Sequence, residues 1–179
     1  MTMTPSRSKS IAAVALLTAL ALILSYVEAI IPFNIGIPGV KLGIANIVVV
    51  IALYIYGWGH ALAVNVIRIV IAGFLFSGVF GIIYSMAGGL LSLLVMVLLK
   101  RTGLFSSIGI SAAGGVVHNM AQLLTAAALV SNLSIFVYFP VLLFSGIVCG
   151  IITGIITTII LRRLPDSIYR FPDNKKIFG

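Results

Sequence analysis

The residue best suited to chemistry in this sequence is Arg68, which lies within a long apolar stretch. An arginine does not shed its charge by deprotonation, and a charge in an apolar segment is costly unless it is paired or hydrated. Asn65 precedes Arg68 by three residues and shares its helical face. Glu28 is the only acid before Asp166, so it is the only counterion available in the apolar part of the chain. Two interpretations stay open: a structural Glu28–Arg68 ion pair, and a role for Arg68 in binding a ligand.

A second polar cluster occupies one later segment. Its members are His118, Asn119, Gln122 and Thr125. Their separations of three and four residues place them on one broad stripe of a helix. No Asp, Glu, Lys or Arg occurs from 107 to 161. Such a stripe either joins helices by hydrogen bonds or forms the wall of a ligand cavity. In the second case we expect Asn46, on another helix, to contribute to the same wall.

Several motifs of enzyme chemistry are missing from the sequence. It contains no GxxxxGK[ST] phosphate loop, no HExxH and no paired-carboxylate motif. Cys149 is the only cysteine, and its Gly-rich apolar surroundings favour a small packing residue. We therefore predict that the chain is not an enzyme alone, with no catalytic residues, no metal site and no cofactor. Any transport would draw its energy from a partner or an ion gradient.

The composition assigns the chain to the lipid bilayer. Of its 179 residues, 61% are hydrophobic and only 8% charged, against roughly 25% charged in an average soluble protein. A spanning helix needs about 20 apolar residues, so the length accommodates about six crossings and no sizeable extramembrane domain. Lys and Arg number 11 against 3 acids, but they cluster beside apolar segments. This clustering favours membrane orientation over nucleic-acid binding.

Charges, prolines and glycine clusters divide the sequence into six predicted spans. They lie near 11–31, 42–57, 60–79, 82–99, 107–130 and 136–161. The segment 60–99 is too long for one crossing, and Ser77, Gly78 and Gly81 give the expected point of reversal. The sequence therefore predicts an all-α integral membrane protein, a compact bundle of about six transmembrane helices.

The distribution of positive charge orients this bundle. Six spans put both termini on one side, and placing that side in the cytoplasm makes nearly every flanking cation cytoplasmic. These cations are Arg7, Lys9, Lys100, Arg101, Arg162, Arg163, Arg170, Lys175 and Lys176, with Lys41 alone outside. We therefore expect a cytoplasmic N-terminal segment at 1–10, a single six-helix transmembrane domain at 11–161 and a basic cytoplasmic tail at 162–179.

Small residues recur every fourth position in two spans. Ala15 and Ala19 form such a pair in the first span, and Gly146, Gly150 and Gly154 form a row in the last. This spacing permits close approach of helices. One interpretation is internal packing. The other, for the first helix, is a docking surface for another membrane subunit.

Four stretches of the chain carry a family resemblance. They are PGVKLGIANIVVVIALYIYG at 38–57, NVIRI at 65–69, YSMAGGLLSLLVM at 84–96 and SAAGGVVHNMAQLLTA at 111–126. With these stretches, residues 11–161 resemble the Gx transporter family, also labelled heptaprenyl diphosphate synthase component I. That family is related to the substrate-binding S components of energy-coupling factor (ECF) transporters.

The resemblance implies a multi-pass protein of the prokaryotic cell membrane with an S-component-like fold and both termini in the cytoplasm. S components bind a vitamin, a precursor or a metal ion at the outer side. They dock onto a module of one transmembrane coupling protein and two ATPases. Their first helix typically presents an AxxxA motif to that module, and Ala15 with Ala19 match it.

The leading hypothesis is a substrate-binding subunit of an ECF-type importer for a small vitamin-like or isoprenoid-related solute, with the loop 32–41 as a lid. The expected substrate-binding residues are Glu28, Lys41, Asn46, Asn65, Arg68, His118, Asn119 and Gln122. The competing hypothesis is a non-transport membrane partner in isoprenoid or quinone metabolism, or in flavin- or quinone-linked electron transfer. Neither hypothesis names the ligand or the oligomeric state.

Overall fold

A computed structural model describes residues 7–30 and 43–164, and in these ranges the chain is helical with no strand. The six α-helices are α1 (Arg7–Ile30), α2 (Ile44–Ile55), α3 (Trp58–Ala72), α4 (Gly78–Thr102), α5 (Ser107–Val130) and α6 (Phe139–Arg163). A π-helix, Gly73–Ser77, joins α3 to α4, and a 3-10 helix, Leu133–Tyr138, precedes α6. The predicted lid at 32–41, including Lys41, and the predicted tail beyond residue 164 lie outside the described residues.

Four helical stretches are long and apolar enough to cross a membrane. They are Ser8–Ile30, Trp58–Thr102, Ser107–Val130 and Leu133–Arg163. Large apolar side chains cover their outer surfaces, and Leu16, Phe80 and Phe144 are each at least 70% exposed. Soluble proteins rarely expose contiguous apolar surface on this scale, whereas lipid-facing helices require it. The prediction of an all-α membrane protein is confirmed, while the number of crossings and the side of the termini stay predictions.

The chain reverses between α3 and α4 at Gly78, whose φ of 68° is a left-handed conformation that glycine adopts without strain. Behind this turn α3 and α4 run side by side, and the Asn65 side chain Nδ2 donates to the carbonyl oxygen of Gly89 at 2.9 Å. The reversal predicted at Ser77 and Gly78 is therefore confirmed. The apolar helical stretch Trp58–Thr102, which is 45 residues long, thus consists of two helices that run antiparallel to each other.

The shortest helix, α2, forms the centre of the bundle. Its sequence IANIVVVIALYI is apolar on all sides, which is typical of a helix buried all round. Ten of its 12 residues are buried. Side chains from all five surrounding helices complete the core, among them Ala21, Val64, Leu93, Ile110 and Leu161. The other helices therefore arrange themselves around α2.

Contacts between helix termini define the two ends of the bundle. At one end, which we call the Lys100 end, Lys100 Nζ of α4 donates to the carbonyl oxygen of Leu53 in the last turn of α2 at 2.8 Å. At the opposite end, the Glu28 end, the last turn of α1 meets Gly43, the residue before α2. Since α1 finishes at the Glu28 end, it begins at the Lys100 end.

The last helix finishes at the Lys100 end as well. Ser107, at the start of α5 and a few residues after Lys100, forms a 2.6 Å hydrogen bond with Thr158 near the end of α6. Leu161 of α6 belongs to the core around α2. The start of α1 and the end of α6 therefore lie at the same end of the bundle.

The glycine row of α6 packs directly on the backbone of α5. A methyl group on Gly150 would lie 2.6 Å from the carbonyl oxygen of Ser111, and one on Gly154 would lie 2.6 Å from the Cα atom of Ile108. Both distances are too short for a real carbon contact, so only glycine permits this approach. For the α6 row the interpretation as internal packing is therefore confirmed.

Gly150→Ala tests this packing. The added methyl group collides with rigid backbone, so we expect a loss of stability of about 1–3 kcal/mol, as for overpacked cores. Gly109→Ala on α5 is the matched control, because its methyl group would lie 3.7 Å from its nearest neighbour, Ser106 Oγ. The thermal unfolding midpoint in detergent measures the difference. Equal midpoints for the two variants would contradict the packing described.

Candidate functional site

A cavity of about 300 Å³ lies inside the bundle, and all six helices contribute to its wall. Six of the predicted substrate-binding residues line it: Glu28, Asn46, Arg68, His118, Asn119 and Gln122. Asn65 contacts Arg68 from behind the wall. Lys41 lies outside the described residues. Apolar side chains such as Val50, Ile69 and Met96 complete the lining.

Arg68 is held in place by two neutral amides. Its Nη2 donates to Asn46 Oδ1 of α2 at 2.5 Å and to Asn65 Oδ1 at 3.0 Å. Asn65 is 1% exposed, and its own Nδ2 is anchored on the carbonyl oxygen of Gly89. Asn65 is thus a positioning residue. The buried Nε atom of Arg68 has no hydrogen-bond partner in the described part of the chain.

Glu28 contacts the start of α2. Its Oε1 accepts a hydrogen bond from the backbone nitrogen of Gly43 at 2.7 Å. A negative charge at this position is favourable, because the N-terminus of a helix carries unpaired N–H groups and a partial positive charge. Within residues 7–30 and 43–164 no ion pair joins Glu28 to Arg68, since Glu28 bonds to Gly43 and Arg68 to Asn46 and Asn65. The contacts of Glu28 and Arg68 are therefore separate.

The polar stripe of α5 serves two purposes. Asn119 Nδ2 donates to the carbonyl oxygen of Leu142 at 2.8 Å and so joins α5 to α6. Gln122 is 7% exposed, lines the cavity, and has an Nε2 atom without a partner among the described residues. Thr125 donates to Ala121 of its own helix and does not line the cavity. Asn119 therefore both joins two helices and lines the cavity, whereas Gln122 lines the cavity without such a bond.

Two consecutive glycines of α4 bring the two polar clusters together. A methyl group on Gly88 would lie 2.7 Å from Gln122 Cγ of α5, and one on Gly89 would lie 3.0 Å from Asn65 Nδ2 of α3. Because residues 88 and 89 have no side chains, Gln122 and Asn65 can each pack directly against the backbone of α4. Since Asn65 holds Arg68, the arginine and Gln122 are anchored against the same turn of α4.

The sequence reasoning missed a set of smaller polar groups in the wall. They are Ser25, Ser77, Ser85, Ser92, Ser111, Cys149 and Thr153. Hydroxyl residues are common in membrane helices, and nothing in their spacing separates those that face a cavity from those that bond to their own helix. Cys149, interpreted as a packing residue, is half-buried in the cavity wall.

Lys100 was predicted only as a topological charge, yet its structural contacts are specific. Besides the bond to Leu53, its ammonium group lies 4.4 Å from the centre of the Tyr54 ring. The carbonyl groups in the last turn of α2 lack helical partners, so a cation there is favourable. Lys100 therefore stabilises the C-terminal end of α2, as Glu28 stabilises its N-terminal end.

The polar groups of the cavity wall are of few chemical kinds. Arg68 and Glu28 are the charged members of its wall, and the remaining polar groups are amides, hydroxyls, a thiol and one imidazole. Among the described residues no group of three or more His, Cys, Asp or Glu is placed to hold a metal ion. A wall of this composition is able to orient a ligand through a few hydrogen bonds in a partly apolar enclosure.

A second concavity lies on the outer surface between α1 and α3, with a volume of about 720 Å³. Ala15 and Ala19 are exposed and line it, facing Gly59, Ala63 and Ile67 of α3. The two alanines therefore lie on an accessible surface instead of inside the α1 packing. We call this surface the α1–α3 groove.

Comparison with known protein families gives one match. The sequence model of the family described as heptaprenyl diphosphate synthase component I matches residues 17–160. The match covers all of the cavity wall and most of the bundle. Comparisons with curated proteins and with solved structures found no match.

Glu28 substitutions test its contact with α2. Glu28→Leu removes the acceptor of the Gly43 N–H group, and we expect a stability loss of about 1–2 kcal/mol, as for a lost helix cap. Glu28→Gln retains an acceptor oxygen, so its loss should be smaller. Thermal unfolding of the purified variants measures both. If Glu28→Leu is as stable as the native chain, the contact does not support α2.

Proposed function

We propose that this chain captures a small solute for import, and we start from its family. The chain belongs to the heptaprenyl diphosphate synthase component I family. In this proposal it is the substrate-binding subunit of an ECF-type transporter. The cavity is the solute site, and the α1–α3 groove is the surface that meets the rest of the transporter.

The observation that carries the proposal is a set of buried polar atoms without partners on side chains that line the cavity. Arg68 Nε, Gln122 Nε2 and Ser111 Oγ are buried and have no hydrogen-bond partner among the described residues. All three side chains line the same cavity. An unsatisfied buried polar group costs about 1–3 kcal/mol. A bound solute that supplies the missing partners removes this cost, which favours a binding site over an inert void.

The distribution of charge supports capture from outside. Among the described residues, the cations other than Arg68 occur where α1 begins and where α4 and α6 end; they are Arg7, Lys9, Lys100, Arg101, Arg162 and Arg163. These positions belong to the Lys100 end. By the positive-inside rule that end faces the cytoplasm, so the Glu28 end of the cavity faces outward.

The α1–α3 groove supports docking of a coupling protein. Small side chains let another helix approach closely, and the exposed Ala15 and Ala19 lie in a concave apolar surface. Since the described residues offer no nucleotide-binding loop, the work of transport comes from two ATPases bound through that coupling protein.

The family description favours a second candidate, a membrane partner of a heptaprenyl diphosphate synthase. The cavity argues against storage of a whole prenyl chain there. Its volume of about 300 Å³ lies at the small end of ligand pockets, which span roughly 300–1,000 Å³. A compact solute fits this volume better than a chain of seven isoprene units.

Native mass spectrometry of the protein, purified gently from its host, tests the capture of a solute. We expect a stoichiometric bound small molecule on the native chain. Cys149→Phe should abolish it by filling the cavity from the α6 side. Thr125→Val is the matched control, because Thr125 lies on α5 outside the cavity wall, and it should retain the molecule. A native chain that is purified without any bound molecule would contradict the proposal.

Replacement of both groove alanines tests docking. Ala15→Leu with Ala19→Leu fills the α1–α3 groove, so we expect loss of the ATPases from affinity-purified protein while the bound solute is retained. Ala12→Leu, at an exposed α1 position outside the groove, should keep them. Co-purification of a prenyl synthase, with no ATPase from any of these proteins, would instead favour the second candidate.

A further inference from the structure

We infer that the solute is an anion whose oxygen atoms are bound between Arg68 and Gln122. This inference rests on the proposed function and names the chemical class of its substrate. The shared chemistry is an oxyanion, a carboxylate or a phosphate group, on a compact molecule.

Arg68 carries a charge that has no contacting counterion among the described residues. Its guanidinium stays positive inside an apolar bundle, and its hydrogen bonds go to two neutral amides. A buried charge without a contacting counterion is strongly unfavourable. The whole chain has three acids, Glu28, Asp166 and Asp173. Glu28 is engaged with Gly43, and the two aspartates lie outside the described residues.

The cavity wall near Arg68 offers hydrogen-bond donors that lack acceptors. The amide oxygens of Asn46 and Asn65 are turned toward Arg68 Nη2, so they are occupied as acceptors. Of the three unpartnered atoms, Arg68 Nε and Gln122 Nε2 are donors, and Nε cannot accept at all, while the Ser111 hydroxyl can either donate or accept. This part of the wall therefore requires acceptors from its ligand.

Gln122 and the asparagine that holds Arg68 pack on consecutive residues of α4. Gln122 packs on Gly88, and the Asn65 side chain that holds Arg68 packs on Gly89. Both donors belong to side chains that line the same cavity, and a carboxylate or phosphate bound there brings more than one acceptor oxygen. The guanidinium then gains its counterion, and the amide of Gln122 gains its acceptor.

Gln122→Glu gives a test whose sign depends on ligand charge. It is nearly isosteric, replaces a donor by an acceptor and adds negative charge. We expect affinity for an anion to fall by about tenfold or more, since hydrogen bonds to charged groups are worth about 1.5–3 kcal/mol. Glu28→Gln removes a negative charge from the same cavity and should tighten binding. Thr125→Val, outside the cavity, is the control for both.

The probe is the molecule that co-purifies with the native chain, identified by accurate mass after extraction and returned to ligand-free protein in a titration. A carboxylate or phosphate in its composition, with weaker binding by Gln122→Glu, is the expected result. A neutral or cationic molecule, or equal or tighter binding by Gln122→Glu, overturns the inference. The composition of the native ligand decides the matter even if Gln122→Glu does not fold.

The outcomes also separate the inference from the proposed function. A bound solute that is not an anion defeats the inference alone. A native chain with nothing bound defeats both. A phospholipid mass places a lipid headgroup at Arg68, which upholds the oxyanion but overturns capture of a solute.

Discussion

The rest of the bundle depends on the burial of α2. A helix of 12 residues is about 18 Å long, and burying it leaves unpaired N–H groups at one end and unpaired carbonyl groups at the other. Glu28 contacts the first end and Lys100 the second. Each charge has the sign that the helix dipole favours. Because these two residues belong to α1 and α4, satisfying the ends of α2 also fixes the positions of two surrounding helices.

Close packing and the cavity have a common origin in residues without side chains. Gly150 and Gly154 bring α6 onto the α5 backbone, and Gly88 with Gly89 admit side chains from α5 and α3. Within lipid, helices gain little from hydrophobic association, so such contacts and interhelical hydrogen bonds hold the bundle together. The polar groups that remain between these contacts surround the cavity. The site is therefore a product of the packing and not an addition to a finished fold.

Much of the fold follows from the sequence, because apolar length, glycines and charges act locally. The helical class, the reversal at Gly78 and most helix positions were predictable on that basis. Six of the eight expected site residues line one cavity, since polar groups in apolar helices need polar surroundings. The contacts of Asn65, Asn119 and Lys100 were not predictable. Each binds a backbone carbonyl on another helix, and every residue offers such a group, so no side-chain pattern reveals the partner.

Asn65 has two structural roles, and these roles affect which positions of the cavity wall can change during evolution. Asn65 positions Arg68 with its oxygen and joins α3 to α4 with its nitrogen. Substitution there displaces Arg68 and weakens the bundle in one step, so change at Asn65 is penalised twice. Ser111 lines the same cavity without a hydrogen-bond partner among the described residues. Sequences that share this fold would therefore be expected to diverge first at such hydroxyl positions, while retaining the amides that join the helices.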